Sequence, residues 1–396
     1  MDFARRRRVG AVENTMIGLF NLLIRGVKAI DWPLFLIAAL LSGAGLLMMQ
    51  SAVGGTDWRY AVQSQYFVFA LIIMWVVAIV PPTWLAKMAP LIYSVSLILL
   101  VGVVFFGETS KGATRWVDLG FARIQPSEIM KIALPLLLAW YFQRREQRLM
   151  GFDFVVAFVL VAIPFLLIVR QPDLGTALLV GTGGLCAIYF AGLSFKLLVP
   201  LAVIAVVGIS SVLLFEDTLC LPETDWLVLH EYQKGRVCTL LDPTQDPLGR
   251  GFHTIQSTIA VGSGGLYGRG YMEGTQGQLD FIPERTTDFI FAVFAEEFGL
   301  YGALTLLFLF ALLIIRGLVI ATRATDTFGR VLASSLSMVF FIYVFVNVGM
   351  VIGILPVVGV PLPFFSYGGT ALVTLAVAVG LLMGISRQSV RSGANQ

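Results

Sequence analysis

The chain has 396 residues, 58% of them hydrophobic and 13% charged, about half the charged share of an ordinary soluble domain. That balance excludes a water-soluble globular protein. The net charge of +3 comes from basic residues gathered at the ends of apolar runs, where anionic lipid lies, so nucleic acid is excluded as a partner.

Residues 1–31 form a basic N-terminus with Arg5, Arg6, Arg7 and Arg8. No small-residue cleavage site follows a short apolar core, so it does not read as a secretory signal. Charge-free apolar runs of spanning length then appear at Trp32 to Met49, Val62 to Val80, Met88 to Phe106, Leu174 to Phe195, Leu197 to Phe215, Phe298 to Ile315 and Val331 to Leu355. A bilayer core takes about 20 residues of helix. Three further runs carry an interruption: Ile124 to Phe142 holds Glu128 and Lys131, Phe154 to Val169 holds Pro164, and Phe364 to Ile385 opens on a glycine pair. The expectation is an all-α integral membrane protein of ten transmembrane helices over residues 32–386, with a tail at 387–396. An even number of spans puts both termini on one side. Lys87, Arg144, Arg145, Arg148, Lys196, Arg316, Arg323, Arg330, Arg387 and Arg391 share that side, and the positive-inside rule makes it cytoplasmic.

Two outward segments exceed a turn, residues 107–127 and the long extracytoplasmic loop 216–288 between the seventh and eighth spans. Segments of that length in a compact protein usually carry function. Within the second, Trp226-Leu-Val-Leu and Tyr232 to Leu241 read as short interfacial helices. Cys220 and Cys238 also lie there, where an oxidising compartment would allow a bridge; spacing alone leaves the pairing open. Gly262-Ser-Gly-Gly-Leu-Tyr-Gly-Arg-Gly270 fits no nucleotide fingerprint. It is either a set of tight turns packed on helices or a nest of backbone amides for a phosphate.

Ionisable groups inside a bilayer are costly and call for a partner or a purpose. Glu128 and Lys131 are three apart in Gln125-Pro-Ser-Glu-Ile-Met-Lys131 and share a helix face, either as a packing ion pair or as the lining of a cavity for an anionic headgroup. Arg115 and Arg170 are candidate phosphate contacts, because a guanidinium forks onto phosphate oxygens. Asp173, after Pro172, suits a helix cap. Asp288, in Pro283-Glu-Arg-Thr-Thr-Asp-Phe-Ile-Phe-Ala292, lies where a loop enters the bilayer; it is an N-cap or a carboxylate poised to accept a proton. Glu296 and Glu297 follow, one expected to face the interior and the other to pair nearby. Between the last two spans, Pro356 to Thr370 breaks the helix, which membranes tolerate beside a cavity. Ser366, Tyr367 and Gly368 are candidate donors to a ligand there, against the alternative of structural turns. His230 and His253 are far apart and no zinc spacing occurs; a divalent ion held by carboxylates and pyrophosphate stays open.

Six segments in order, Lys111 to Trp116, Gln125-Pro-Ser-Glu128 with Lys131, Gln171 to Thr176, Gly262 to Gly265, Pro283 to Ala292 and Pro363-Phe-Phe-Ser-Tyr-Gly-Gly369, resemble the shape, elongation, division and sporulation (SEDS) family, from about Asp31 to Arg387. The resemblance implies a peptidoglycan glycosyltransferase polymerising lipid II on the outer face of the inner membrane. It further implies a class B penicillin-binding transpeptidase as partner within the elongation machinery. By the same resemblance Asp288 matches the family's essential loop aspartate, and Glu128 and Lys131 match its central polar pair. Gly274 to Arg285 looks like the rod-shape-determining branch rather than the division branch, FtsW, although Thr286 stands where either branch has histidine. A flippase for the same lipid is the alternative from another class. No organic cofactor is expected, and magnesium or manganese is left open.

Overall fold

The computed structural model describes residues 30–55, 58–110, 113–118, 123–221, 224, 231–245, 247, 249, 251–278, 282 and 284–394. Residues 1–29, Trp226 to Leu229 and His230 lie outside these, so the expectations for the basic N-terminus and the first interfacial helix are not addressed by the structure.

The described chain is mostly helical. Helices α1 (Trp32–Ala52), α2 (Trp58–Ile79) and α3 (Pro82–Phe106) precede a small sheet of β1 (Glu108–Ser110), β2 (Ala113–Asp118) and β3 (Arg123–Ile124). Next come α4 (Pro126–Arg145), α5 (Gly151–Arg170), α6 (Leu174–Phe190) and α7 (Phe195–Leu214). The segment between α7 and the last three long helices contributes α8 (Glu216–Leu219), α9 (Glu231–Leu241), α10 (Phe252–Ser263) and α11 (Thr275–Gln278). The chain closes with α12 (Ile290–Arg323), α13 (Thr327–Val351) and α14 (Gly369–Ala394). Among the described residues seven helices, α1, α2, α3, α5, α12, α13 and α14, are long and apolar enough to cross a membrane.

Their packing places α13 at the centre, against α4, α6 and α12, while α14 lies on α2. Outer faces are apolar: Phe105, Phe106 and Leu214 are largely exposed, as expected where lipid is the solvent. The sheet corrects the expectation of an all-helical chain. It is antiparallel, with Thr109 opposite Thr114 and Val117 opposite Ile124, and it occupies the segment between α3 and α4. In the segment after α7, the pairing left open by the sequence is settled: Cys220 and Cys238 form a disulfide with Cα atoms 5.7 Å apart. Lys234, one turn before Cys238 on α9, fastens the same segment by donating to the carbonyls of Leu221 at 2.6 Å and Thr224 at 2.8 Å.

The glycine-rich run is the tight-turn alternative, and its purpose is to complete a broken helix. At Gly299, with φ +64° and ψ −163°, α12 leaves helical geometry, so carbonyls before the break and amides after it lose their intrahelical partners. The turn supplies them. Arg269 N and Gly270 N donate to Glu296 O and Glu297 O, both at 3.0 Å, while Leu300 N and Tyr301 N donate to Gly265 O at 2.9 Å and Leu266 O at 3.2 Å. Backbone meets backbone so closely that a Cβ on Gly264 or Gly268 would lie 2.1 Å from a carbonyl oxygen. Glu296 and Glu297 are both buried, and both have partners. Glu296 accepts from the backbone of Gln276 at 3.0 Å and Gly277 at 3.3 Å, and Glu297 accepts from the Ser51 hydroxyl.

At the opposite end of the bundle, Asp31 caps α1 through Leu34 N at 3.2 Å and takes Arg316 at 3.0 and 2.6 Å and the Ser386 hydroxyl at 2.7 Å. It thereby joins α1, α12 and α14. Burial by itself would raise this carboxyl, but the bonds from Arg316, Ser386 and Leu34 outweigh it and hold the group below its ordinary value.

Two outcomes are expected. A group so depressed stabilises the fold above its unfolded pKa, about 3.9, and that contribution is lost as pH falls through the lower folded value. The melting temperature of the purified protein should therefore fall below about pH 4, and Asp31→Asn should flatten that part of the profile. Gly299→Ala should lower the melting temperature strongly: the positive φ costs about 1–3 kcal/mol, and the new Cβ would lie 2.3 Å from Gly268 N.

Candidate functional site

The start of α4 sets the centre of the site. Pro126 occupies the first turn, where its missing N–H costs nothing, and the helix buries Glu128 and Lys131 one turn apart. The Lys131 ammonium lies 2.5 Å from Glu128 Oε1 and donates to the Tyr343 hydroxyl on α13 at 2.7 Å. Lys131 is only 3% exposed and Glu128 7%, so water does little to screen the pair. Glu128 Oε2 is buried and accepts no hydrogen bond. The expected ion pair is thus present, and it has one carboxylate oxygen to spare.

Arg115, on β2, approaches the same end of the bundle. Its Nε is 3.5 Å from Asp173 Oδ2, and it donates to Pro172 O at 3.2 Å. Asp173 is the cap of α6, accepting from Thr176 N at 3.2 Å, and Gln125 also donates to it at 3.2 Å. The bland reading of Asp173 as a cap holds, with the added duty of anchoring Arg115. Arg170, the last residue of α5, is exposed, and among the described residues it joins no hydrogen bond or ion pair of this cluster.

Asp288 sits half-buried in a turn closed by Thr287 N and Phe289 N, which donate to Glu284 O at 3.0 and 3.3 Å. Phe289, not Asp288, occupies the cap position of α12, and no side chain caps the helix. The N-cap reading of Asp288 is therefore corrected. The turn is gripped from three sides. Asn347 on α13 donates to Asp288 O at 2.9 Å, Tyr367 N donates to Thr286 O at 2.8 Å, and the His253 ring stacks on Phe289 with centroids 5.6 Å apart.

The segment between α13 and α14 is the third wall, and glycine lets it come close. A Cβ on Gly359, whose φ is +74°, would lie 3.4 Å from Asp288 Oδ2, and one on Gly175 would lie 2.7 Å from Val358 O. Ser366 and Gly368 are largely spent on holding this segment in shape. The Ser366 hydroxyl accepts from Leu362 N at 2.8 Å, Gln63 donates to Ser366 O at 3.3 Å, and Gly368 N donates to Gln63 Oε1 at 3.4 Å. The alternative of structural turns is thus realised in these bonds, while the Ser366 hydroxyl, which accepts here, keeps its own proton to donate; Tyr367 contributes its backbone to the Asp288 turn.

Sequence reasoning missed Tyr343, Asn347 and Gln63. The signal was available: each is a polar group inside or at the edge of an apolar span, and Tyr343 and Asn347 are four residues apart on one helix face. Among the described residues no three His, Cys, Asp or Glu side chains converge as a metal cluster. A magnesium or manganese ion shared between a pyrophosphate and one carboxylate is compatible with Glu128 Oε2, since such ions take one or two carboxylates plus substrate phosphates.

A family profile described as "Cell cycle protein" and covering FtsW, RodA and SpoVE proteins matches residues 31–391, and the chain belongs to this family of polytopic membrane proteins. The peptidoglycan glycosyltransferase MrdB of Escherichia coli K12 is 49% identical over 344 residues, 87% of each chain. Stage V sporulation protein E of Bacillus subtilis is 38% identical over 74% of this chain and 76% of its own. In solved structures, a chain of a peptidoglycan synthase complex, described as coordinating polymerization and crosslinking, superposes with a TM-score of 0.74 at 32% identity, covering 91% of this chain and 98% of that one. The rod shape determining protein RodA of Thermus thermophilus superposes at 0.66 with 27% identity, over 90% and 97%. Within the family this chain is a peptidoglycan glycosyltransferase of the rod-shape-determining branch, resident in the inner membrane and acting in lateral wall growth.

Removing one member of a buried ion pair leaves an uncompensated charge, at a cost of about 3–5 kcal/mol. Lys131→Met should therefore lower the melting temperature, and adding Glu128→Gln should restore it. Glycan synthesis should stay lost in the double variant; recovered synthesis would return the pair to a purely structural role.

Proposed function

We propose that Asp288 is the general base of lipid II polymerisation. The observation that carries this reading is a half-buried carboxylate whose turn is held by Asn347, one helical turn from the Tyr343 that holds buried Lys131. Joining two sugars requires a proton acceptor for the incoming 4-hydroxyl and positive charge for the departing lipid pyrophosphate. Asp288 takes the hydroxyl proton as that oxygen attacks the anomeric carbon. The bond from that carbon to the pyrophosphate oxygen breaks on the far side, so the centre inverts. Lys131 and Arg115 stabilise the diphosphate that leaves; Arg170, exposed at the end of α5, is an outlying contact for the lipid phosphates. No nucleoside triphosphate enters, because the glycosyl-pyrophosphate bond already carries the driving force.

The orientation follows from the same reading. All ten long helices cross the bilayer, α4, α6 and α7 joining the seven apolar ones, so both termini face the cytoplasm and the site opens to the periplasm. The 216–288 segment is the outer loop that leads into the Asp288 turn. Strands made there need crosslinking, which makes a class B penicillin-binding transpeptidase the natural partner, together with other proteins of the elongation machinery. The relative seen in a synthase complex supports such a partner.

Asp288→Asn should abolish polymer formation from purified lipid II on a gel assay while protein level and partner binding persist. Retained polymer would remove the base assignment. Lipid movement across vesicles without any polymer from the wild type would favour the flippase instead.

A further inference from the structure

The general base needs a fixed distance to the cationic centre, yet Asp288 lies in a turn of the outer loop and Lys131 lies on α4. The element that touches both is α13. Tyr343 accepts from Lys131 at 2.7 Å, and Asn347 donates to Asp288 O at 2.9 Å and to Val360 O at 2.7 Å. Four residues of α-helix rise about 6 Å, so the two contacts sit on successive turns of one rigid rod.

Asn347 is fully buried. Its two partners are both carbonyls, which fixes the amide with its NH2 group towards them. Its Oδ1 is buried and accepts no hydrogen bond, so packing an amide here leaves an acceptor unsatisfied, a cost of about 1–3 kcal/mol in general. A residue kept only to fill space would be apolar. The Val360 carbonyl that shares the amide adjoins Gly359, the residue packed against Asp288 Oδ2. One side chain therefore restrains the Asp288 backbone and the wall facing its carboxylate together.

We propose that Asn347 is the positioning residue of this glycosyltransferase: its paired donation to Asp288 O and Val360 O sets the Asp288 carboxylate in register with the Lys131 centre. This rests on Asp288 being the base. Asn347 itself touches no reacting atom, and lipid II reaches Lys131 and Arg115 without it. Its loss should consequently be felt in turnover and not in substrate affinity, as when a reacting group is displaced by a fraction of an ångström.

The test uses the full-length protein with lipid II, comparing Asn347→Leu, Asn347→Ala and Asp288→Asn. Leucine keeps the branched skeleton of asparagine and suits an apolar helix but is larger, so the first variant should insert, and Asn347→Ala, which adds no volume, separates loss of the amide from overpacking. Both Asn347 variants should lose about 10- to 100-fold in kcat, with KM for lipid II within a factor of about three. Amide hydrogen exchange in residues 284–289 and 357–362 should rise together. Unchanged kcat in Asn347→Leu, or a loss confined to KM, overturns the proposal. If Asp288→Asn remains active, the base assignment fails instead; the exchange measurement then still reports whether Asn347 joins the two segments.

Discussion

A buried charge in a solvent that cannot screen it is the constraint on which this molecule is arranged. Lys131 and Glu128 lie in the bundle centre, where a lone ion would cost several kcal/mol, and they persist because each answers the other and Tyr343 closes the set. α13, which runs through the middle, supplies that hydroxyl. A scaffold with no chemistry to perform would place leucines there, gaining packing without the ionic penalty. The spare oxygen of Glu128 marks the cluster as a polar site as well as a helix clamp.

The same rule governs the backbone. A helix can break at membrane depth only if other groups take over its lost bonds, and the turn from Gly262 to Gly270 does so for α12. The break at Gly299 lies on the same helix, α12, that the Asp288 turn leads into. The segment before α14 repeats the principle: its own amides and carbonyls are taken by Gln63, Asn347 and the Asp288 turn. Both irregular stretches are therefore walls of the site as well as connections. The segment after α7 is tied down by the Cys220–Cys238 bridge and the Lys234 clamp.

Legibility in the sequence followed the strength of the local signal. Apolar runs announced the helices, because a stretch of twenty residues without charge has one stable home. Helix ends were placed less well: α12 begins at Ile290, eight residues before the charge-free run, since Glu296 and Glu297 interrupt the apolar pattern although both are buried. Glu128 and Lys131 declared themselves as charges inside a span. Asp173 declared itself as a cap after proline. Ser366 and Gly368 stood between two readings because a turn residue and a ligand donor look alike in sequence until the partner is seen.

The sequence alone determined that this is a membrane-spanning chain with a polar centre, and its ordered motifs pointed to the family and so to the reaction. It determined these because hydropathy and charge placement act locally, residue by residue. Tertiary structure decided which groups meet: Lys131 with Tyr343, 212 positions away, Asp288 with Asn347 and Gly359, and the glycine turn with the broken helix. Such contacts depend on the packing of helices far apart in the chain, and no local pattern encodes a distance between them.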